Sequence, residues 1–421
     1  MAGSKQIKID IPYGSSAIGL RIPRRNLARI VAPAPLTAAD NLSSVKAAID
    51  DPVDSESFSE FISHPGEEIL LVVNDAARPT PTARVLPVLL DAARHSDFFY
   101  AVATGAHPVP SKEELNWIFG DMLRNASGRI FMHDSRRSTD MVELGTTSRG
   151  TRVAFNQIAI DADRIMILSS VEPHYFAGYT GGRKSLLPGL AAFKTIEQNH
   201  SLALLPGVMP LALKGNPVHE DMLEGVSFLK DKSIFSINLV QDGAGRIYTA
   251  TAGALEASFL AATKKTDEIY VVPIEERADL VISVARPPLD RDLYQMQKAL
   301  EHALLAVKEG GIIILVSKCS DGVGEDSYLS MLKRFDTPEQ VLQCIKTEKT
   351  FGCHKAGRLA RAALSVEIIA VTDIDPYVIR SAFMEPYSFL QQALDNSLDK
   401  AGPDASVVVL MDGSMTVPRV E

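Results

Sequence analysis

The chain has 421 residues, 43 Lys and Arg against 52 Asp and Glu, and a formal net charge of −9. That length exceeds what one core fills and points to two or three domains. The acidic balance excludes a general nucleic-acid binder, which needs a basic face for phosphates. Hydrophobic content of 46% with 23% charged residues is that of a globular protein, not a disordered one. No stretch approaches the ~20 apolar residues of a membrane span. The opening Met1–Gln6 leads into no apolar run, so no secretory leader is expected and a cytoplasmic location is. Cys319, Cys344 and Cys353 form no CxxC pair, which removes a disulfide framework and a thiolate zinc cluster.

In chain order, Glu68–Asn74 is an apolar run that predicts a buried strand, and Thr82–Arg94 follows with helical spacing of Val85, Leu86, Leu89, Leu90 and Ala93. Phe98–Thr104 predicts a second strand. Ser111 and Glu114 form a capping box that opens a helix running to about Leu123. Arg129–His133 and Arg164–Ser169 read as further strands, and Thr195–Leu205 carries part of a helix. A second block starts near Ile269. Asp279–Ala285 is strand-like, and Leu293–Lys308 reads as one long amphipathic helix stopped by Gly310 and Gly311. Ile312–Val316 is the next strand. Helical stretches follow at Pro338–Lys346 and His354–Leu364, then strands at Val366–Val371 and Ala405–Leu410. Strand–helix alternation of this kind predicts an α/β fold with parallel or mixed sheets. The expected division is residues 1–270 as a cofactor-binding and catalytic domain and 271–404 as a substrate-contacting domain. Residues 405–421 are expected to return to the first, and the active site is expected in the cleft between the two.

Polar residues fall at strand ends. Asp75 and Arg78 follow the first strand, Gly105 and His107 the second, Glu172 and His174 the Arg164–Ser169 strand, and Arg286 the Asp279–Ala285 strand. In open α/β sheets, ligands bind at the carboxyl ends of strands, so these positions suggest one shared site. The densest stretch is Glu172–Gly189, with four Gly, two Pro, a His, an Arg and a Lys within eighteen residues. Gly admits close backbone approach, and a Gly-rich turn with cations can cradle an anion. It is not a P-loop, because Arg183 separates Gly182 from Lys184 and Ala177 stands where that motif needs Gly. No zinc motif is present either, since His219-Glu220 lacks a second His four residues on. Spacing alone neither chooses a metal for His200 nor requires one.

These segments resemble one family. They are Asn74–Thr80, Ala103–His107, Pro173–Gly189, Asn199-His200 and Pro288–Lys298. The chain is similar, from about residue 10 to the last strand, to the nickel-pincer nucleotide-dependent lactate racemases and their 2-hydroxyacid racemase and epimerase relatives. The resemblance implies a pyridinium mononucleotide with two sulfur-bearing arms that holds nickel through one carbon and two sulfurs. Lys184 matches the lysine that bonds covalently to one arm, and His200 the protein-derived nickel ligand. His107 and His174 match the paired acid/base histidines. Asp75, Ala76, Ala77 and Arg78 match the cofactor-contacting loop, and Tyr294, Gln295 and Lys298 the substrate-contacting positions. The implied partners are a small 2-hydroxyacid and, transiently, the enzymes that make and insert the cofactor. Neither nucleic acid nor membrane is expected as a partner.

The chemistry suits those residue types. Racemisation removes a poorly acidic hydrogen from a hydroxyl-bearing carbon and returns it on the other face. Passing it as hydride gives a transient 2-keto acid and requires loss of the hydroxyl proton, work suited to imidazole near neutral pH. Two histidines supply a base on one side and an acid on the other. Imidazole and soft sulfur donors suit nickel. Lys184 must be neutral to form an amide-type bond, which a desolvated loop favours. In an acidic protein, Arg78, Arg183 and Lys298 are the expected source of local positive charge. Pro108 stands where the family often has a basic residue, and Ala77 where a hydroxyl residue is common. The Phe351–Lys355 stretch departs from the lactate pattern: His354 and Lys355 either read a longer or second polar group of the substrate or, the favoured expectation, lie on a solvated helix N-terminal face. The substrate therefore stays open among short, longer, aromatic, dicarboxylic and sugar-derived hydroxyacids. Two other readings stand beside this one. One is a divalent-metal hydrolase or lyase using His107, His174, His200 and Asp75. The other is a non-catalytic hydroxyacid-binding protein.

Overall fold

The structure, a computed structural model, describes residues 5–34, 41–64, 66–93 and 98–421. The chain forms two compact units, Pro35–Ile269 and the combination of Met1–Ala34 with Tyr270–Glu421. The expected division, residues 1–270 against 271–404 with 405–421 returning to the first, differs from the strand pairing on two counts. The N-terminal segment belongs with the C-terminal half, because Leu27–Val31 pairs in parallel with Val407–Leu410. That last strand in turn pairs with Ala278–Val284, so it lies in the second unit and not with the first. A local reading cannot see this, because the partners are far apart in sequence.

In the Pro35–Ile269 unit, six strands form one sheet. Their spatial order is Ile247–Ala254, Ser233–Gln241, Arg164–Ser170, Ile69–Asn74, Phe98–Ala103, Ile130–Met132. All are parallel except the Ile247–Ala254 edge. The central strand is buried from Ile69 to Val73, which explains its unbroken apolar run: a parallel strand covered on both faces has no polar side. The Thr82–Ala92 helix lays Val85, Leu86 and Leu89 on that sheet, against Leu71, Val73, Val102 and Met166. Its expected end at Arg94 lies outside the described residues. The capping box forms as expected: Ser111 accepts from the Glu114 N–H and Glu114 accepts from the Ser111 N–H. That helix ends earlier than expected, at Phe119, because Gly120 turns the chain with φ +54.

The chain runs from Ile69–Asn74 outward through Phe98–Ala103 to Ile130–Met132. It then returns to the other side as Arg164–Ser170 and Ser233–Gln241. Strand order therefore reverses between Ile69–Asn74 and Arg164–Ser170, which makes that gap the topological switch point.

The second unit holds an all-parallel sheet in the order Glu385–Tyr387, Glu367–Val371, Val307–Val316, Ala278–Val284, Val407–Leu410, Leu27–Val31. Its core gathers Leu280, Ile282, Ile314, Val316, Val407 and Val409 with Ile9, Ile11, Leu20 and Ile22 of an N-terminal hairpin. The expected helix to Lys308 ends instead at Ala303, and a strand begins at Val307. Gly310 and Gly311 lie inside that strand, where the register with Ala278–Val284 shifts. A Cβ on Gly311 would come within 2.8 Å of the Asp279 carbonyl, so the pair marks a bulge and close backbone approach rather than a helix stop.

Candidate active site

The Pro35–Ile269 unit brings its polar strand ends together at the switch point. Asn74 and Ala103 sit side by side in the parallel register, so Asp75 and the His107 loop leave the sheet as neighbours. Asp75 Oδ2 lies 2.6 Å from His107 Nδ1. An ionised carboxylate only accepts, so Nδ1 donates to the buried Asp75, and in the neutral form of the 44% exposed ring the lone pair is on Nε2. Across the switch point runs a buried polar chain. Thr80 Oγ1 donates to Asn74 Oδ1 at 2.9 Å and lies 2.8 Å from Ser170 Oγ, and Ser170 Oγ donates to Glu172 Oε1 at 2.9 Å. Glu172 is 3% exposed, and the Glu172 N–H is received by Thr180 Oγ1. These bonds tie the Asp75–Arg78 loop to the loop that carries His174. Arg78 is half-buried, with its N–H on the Asp75 carbonyl.

His174 is held differently from His107. Its Nδ1 accepts the backbone N–H of Ala177 at 3.2 Å and of Phe176 at 3.4 Å. Both are obligate donors, so Nδ1 is the unprotonated nitrogen and the neutral ring carries its proton on Nε2. One histidine thus offers a lone pair and the other an N–H.

Phe176 is the hub that residue-type reasoning did not single out. Its ring centroid lies 4.5 Å from His174 and 4.9 Å from His200, and 5.4 Å from Lys184 Nζ. An aromatic two residues after a candidate histidine, inside a Gly-rich loop, was the available signal. Lys184 and His200 are each 9% exposed, so the loop is desolvated as expected. The turn before Lys184 needs its glycines: Gly181 and Gly182 take φ +78 and +51, and a Cβ on Gly181 would come 2.6 Å from Val171. The Gly105 N–H donates to the Gly189 carbonyl at 3.0 Å, which joins the His107 and Lys184 loops.

His200 rides on the Phe193–Ser201 helix, within the expected Thr195–Leu205 stretch. The adjacent Asn199 donates to Asp221 Oδ2 at 2.8 Å. Asp221, fully buried, also accepts from Thr147 at 2.6 Å and Thr151 at 2.8 Å. That satisfied carboxylate sets the helix that carries His200.

Arg183 was expected to supply charge to a ligand, and the structure gives it another task. It is 1% exposed and donates to the carbonyls of Ala177, Tyr179 and Gly181, with its guanidinium 4.4 Å from the Phe259 ring centroid. Burial pulls it down to about 9. It braces the Gly-rich loop from within. His219 stacks on the same Phe259, and burial, then Arg183, holds it down to about 3.

In the second unit, Tyr294, Gln295 and Lys298 share the first turns of the Leu293–Ala303 helix, as the sequence placed them. Asp292 caps it, its Oδ1 accepting the Gln295 N–H at 2.7 Å. The Leu293 and Tyr294 N–H groups go to the carbonyls of Gly322 and Val323, each at 3.0 Å. The positive end of this helix is thus already taken up by protein oxygens, and an anion met here is recognised by side chains. His354 and Lys355, expected in solvent, are buried at 3% and 1%.

The family model of the lactate racemase N-terminal domain matches residues 13–207, and that of the C-terminal domain matches residues 274–417. A lactate racemase of Thermoanaerobacterium thermosaccharolyticum is 30% identical over 98% of this chain and 99% of its own. The chain belongs to the lactate racemase family. A second relative, the lactate racemase of Lactiplantibacillus plantarum, is 32% identical over 97% of this chain and 98% of its own. The lactate racemase apoprotein structure from T. thermosaccharolyticum matches with a TM-score of 0.91 at 30% identity, over 98% of this chain and 100% of that one. A Thermotoga maritima protein shares the fold, with a TM-score of 0.72 at 16% identity over 92% of this chain and 100% of its own. As a member of the lactate racemase family the chain is an isomerase. Among the described residues, no helix is long and apolar enough to cross a membrane. Among them, too, no group of three or more His, Cys, Asp and Glu is arranged to hold a metal ion by itself.

Proposed function

We propose that the chain racemises a 2-hydroxyacid, lactate first among the substrates to be tried, with a nickel-pincer nucleotide bonded to Lys184. The observation that carries this reading is the arrangement of His174, Lys184 and His200 around Phe176 in a buried loop. The donor chemistry fits the group: a desolvated lysine amine can form the covalent link, an imidazole can complete the nickel coordination, and the sulfur comes from the cofactor rather than from Cys. Asp75, Ala76, Ala77 and Arg78, at the switch point, would hold the nucleotide. When bound, the cofactor supplies a hydride acceptor.

The protein's own residues handle the proton. His107 Nε2, its lone pair exposed because Nδ1 is committed to Asp75, takes the hydroxyl proton from one enantiomer. His174 serves the hydroxyl position of the other enantiomer. Asp75 holds the His107 tautomer and stabilises the imidazolium that forms, the orienting role of a buried carboxylate beside a catalytic histidine. Lys298 and Gln295 take the substrate carboxylate, with Tyr294 beside them. The desolvated loop around Phe176 excludes water, which would otherwise compete for the reactive centre. The acidic, Cys-poor sequence suits a cytoplasmic enzyme that depends transiently on cofactor-making and cofactor-inserting partners.

The test is mass spectrometry of protein co-produced with those cofactor enzymes, and chiral chromatography with a panel of short, aromatic, dicarboxylic and sugar-derived hydroxyacids. The expected result is added mass at Lys184 and racemisation of at least one acid. Unmodified Lys184 together with no racemisation of any acid overturns the reading.

A further inference from the structure

A polar seam joins the Leu293–Ala303 helix to the Cys353–Ser365 helix. Lys355 Nζ donates to the Tyr294 carbonyl and lies 3.9 Å from the centroid of the Tyr294 ring. Gln297 Nε2 donates back to the Lys355 carbonyl at 2.9 Å. Two turns along, Arg358 grips Glu301 with two bonds of 2.8 and 2.6 Å. Residues 294, 297 and 301 mark one stripe of the first helix, and residues 355 and 358 face it from the second. Gln295 and Lys298 lie on the adjoining stripe, one residue round from the seam.

Burying an ammonium is costly, and it persists only where partners compensate. Here the partners are a backbone carbonyl and an aromatic face at the very turn that bears the substrate-contacting positions. The other backbone groups of that turn are already committed: the Leu293 and Tyr294 N–H groups to Gly322 and Val323, and the Gln295 N–H to Asp292. Tyr294 is further wedged edge-on against Tyr328, with ring centroids 5.5 Å apart. Lys355 is the contact that holds this turn from the carbonyl side.

We propose that Lys355 is a positioning residue for substrate binding: it fixes the first turn of the Leu293–Ala303 helix, and through it the placement of Gln295 and Lys298. The proposal rests on the substrate role given above to those two side chains. It assigns Lys355 to recognition and not to the proton and hydride chemistry.

Charge on Lys355 is sensitive to pH near neutrality. Burial pulls it down to about 7, opposed by Asp292 and Glu301 and assisted by Arg358. His354 beside it stays neutral, held down to about 3 by burial and then by Lys355 and Arg358. The groups facing Lys355 include Asp292 at the cap, Tyr294 and Glu301 on the Leu293–Ala303 helix, and His354 and Arg358 on its own. Above pH 7 the ammonium deprotonates, and the contacts to the Tyr294 carbonyl and ring weaken.

The experiment uses cofactor-loaded full-length protein. Lys355→Met is expected to raise KM about tenfold, the loss of one charge-assisted contact, with kcat within about threefold of wild type. Lys355→Arg is expected to recover part of the loss. In wild type, KM is expected to rise as pH passes upward through about 7, and Lys355→Met should flatten that rise. Added mass at Lys184 should be the same in all three proteins. Calorimetric binding of lactate, or of whichever panel acid the wild type binds, reads the same contact without turnover. A tenfold weaker Kd in Lys355→Met supports the proposal whether or not the protein racemises, so it fails separately from the reading of function. An unchanged KM and Kd in Lys355→Met overturns it, and so does a loss confined to kcat. If Lys355→Met does not fold, Lys355→Gln is measured in its place, and an unchanged KM and Kd there overturns the proposal.

Discussion

Replacing Asp75 by asparagine should slow racemisation without disturbing substrate binding. The substitution keeps the shape of a buried side chain and removes its charge. Asp75 Oδ2 sits 2.6 Å from His107 Nδ1, within the range of a charge-assisted bond. A hydrogen bond to a charged partner contributes ~1.5–3 kcal/mol. His107 is 44% exposed, so solvent screening moves the figure to the lower end, about 1.5–2 kcal/mol. At 1.36 kcal/mol per tenfold, that is a fall in kcat of roughly 10- to 30-fold. An amide can also turn its NH2 toward the ring and favour the wrong tautomer, which adds to the loss and not to recovery. Initial rates at saturating substrate, followed by circular dichroism or chiral chromatography, give kcat and KM separately. Asp75 acts on the proton through His107, so Lys184 should keep its added mass in Asp75→Asn while the rate falls. A kcat within twofold of wild type would refute the dyad.

Other outcomes follow from the same structure. His107→Ala and His174→Ala should each abolish racemisation while Lys184 keeps its added mass; normal turnover in either removes that histidine from the chemistry. Gly178→Ala should destabilise the first unit by more than ~1–3 kcal/mol, the usual cost of overpacking. The reason is that Gly178 has φ +76 and an added Cβ would sit 2.2 Å from the Ala212 carbonyl. An unchanged urea midpoint would contradict it. Stability should also depend on pH through buried histidines. Burial holds His133 and His302 down to about 4 and His219 to about 3, all below the ordinary 6.5. The unfolded chain therefore takes up protons first as pH falls. Stability is full above pH 6.5 and declines toward pH 4 by up to about 1.4 kcal/mol per unit for each group. Urea unfolding at pH 7.5, 6 and 5 measures this, and equal midpoints would count against it.

Much of this architecture was legible in local sequence. The apolar run at Ile69–Val73 had to be a strand covered on both faces, and Ser111 with Glu114 had to cap a helix, because those signals act within a few residues. The strand-end positions of Asp75, His107 and His174 were equally readable, since side chains that follow a parallel strand emerge at its carboxyl end. The resemblance of Pro173–Gly189 supplied what periodicity could not, namely a reason for a lysine in a Gly-rich loop.

Other features depend on contacts between distant residues. Gly310 and Gly311 looked like a helix stop and proved to be a bulge, because a neighbouring strand, not the local chain, decides where glycine is needed. Arg183 looked like a ligand-facing cation and Lys355 like a surface one, and both are buried, because carbonyls and aromatic rings that folding brings around them compensate their charge. The N-terminal strand joined the second unit through a partner almost four hundred residues away. Phe176 acquired its meaning only when folding brought His174, Lys184 and His200 around one ring. Length, composition and charge determined by themselves a globular, acidic, Cys-poor chain of more than one domain, and strand–helix alternation determined its α/β class. Which charges face a ligand and which brace the fold was decided by tertiary structure, since a side chain's solvation depends on neighbours that its own sequence does not name.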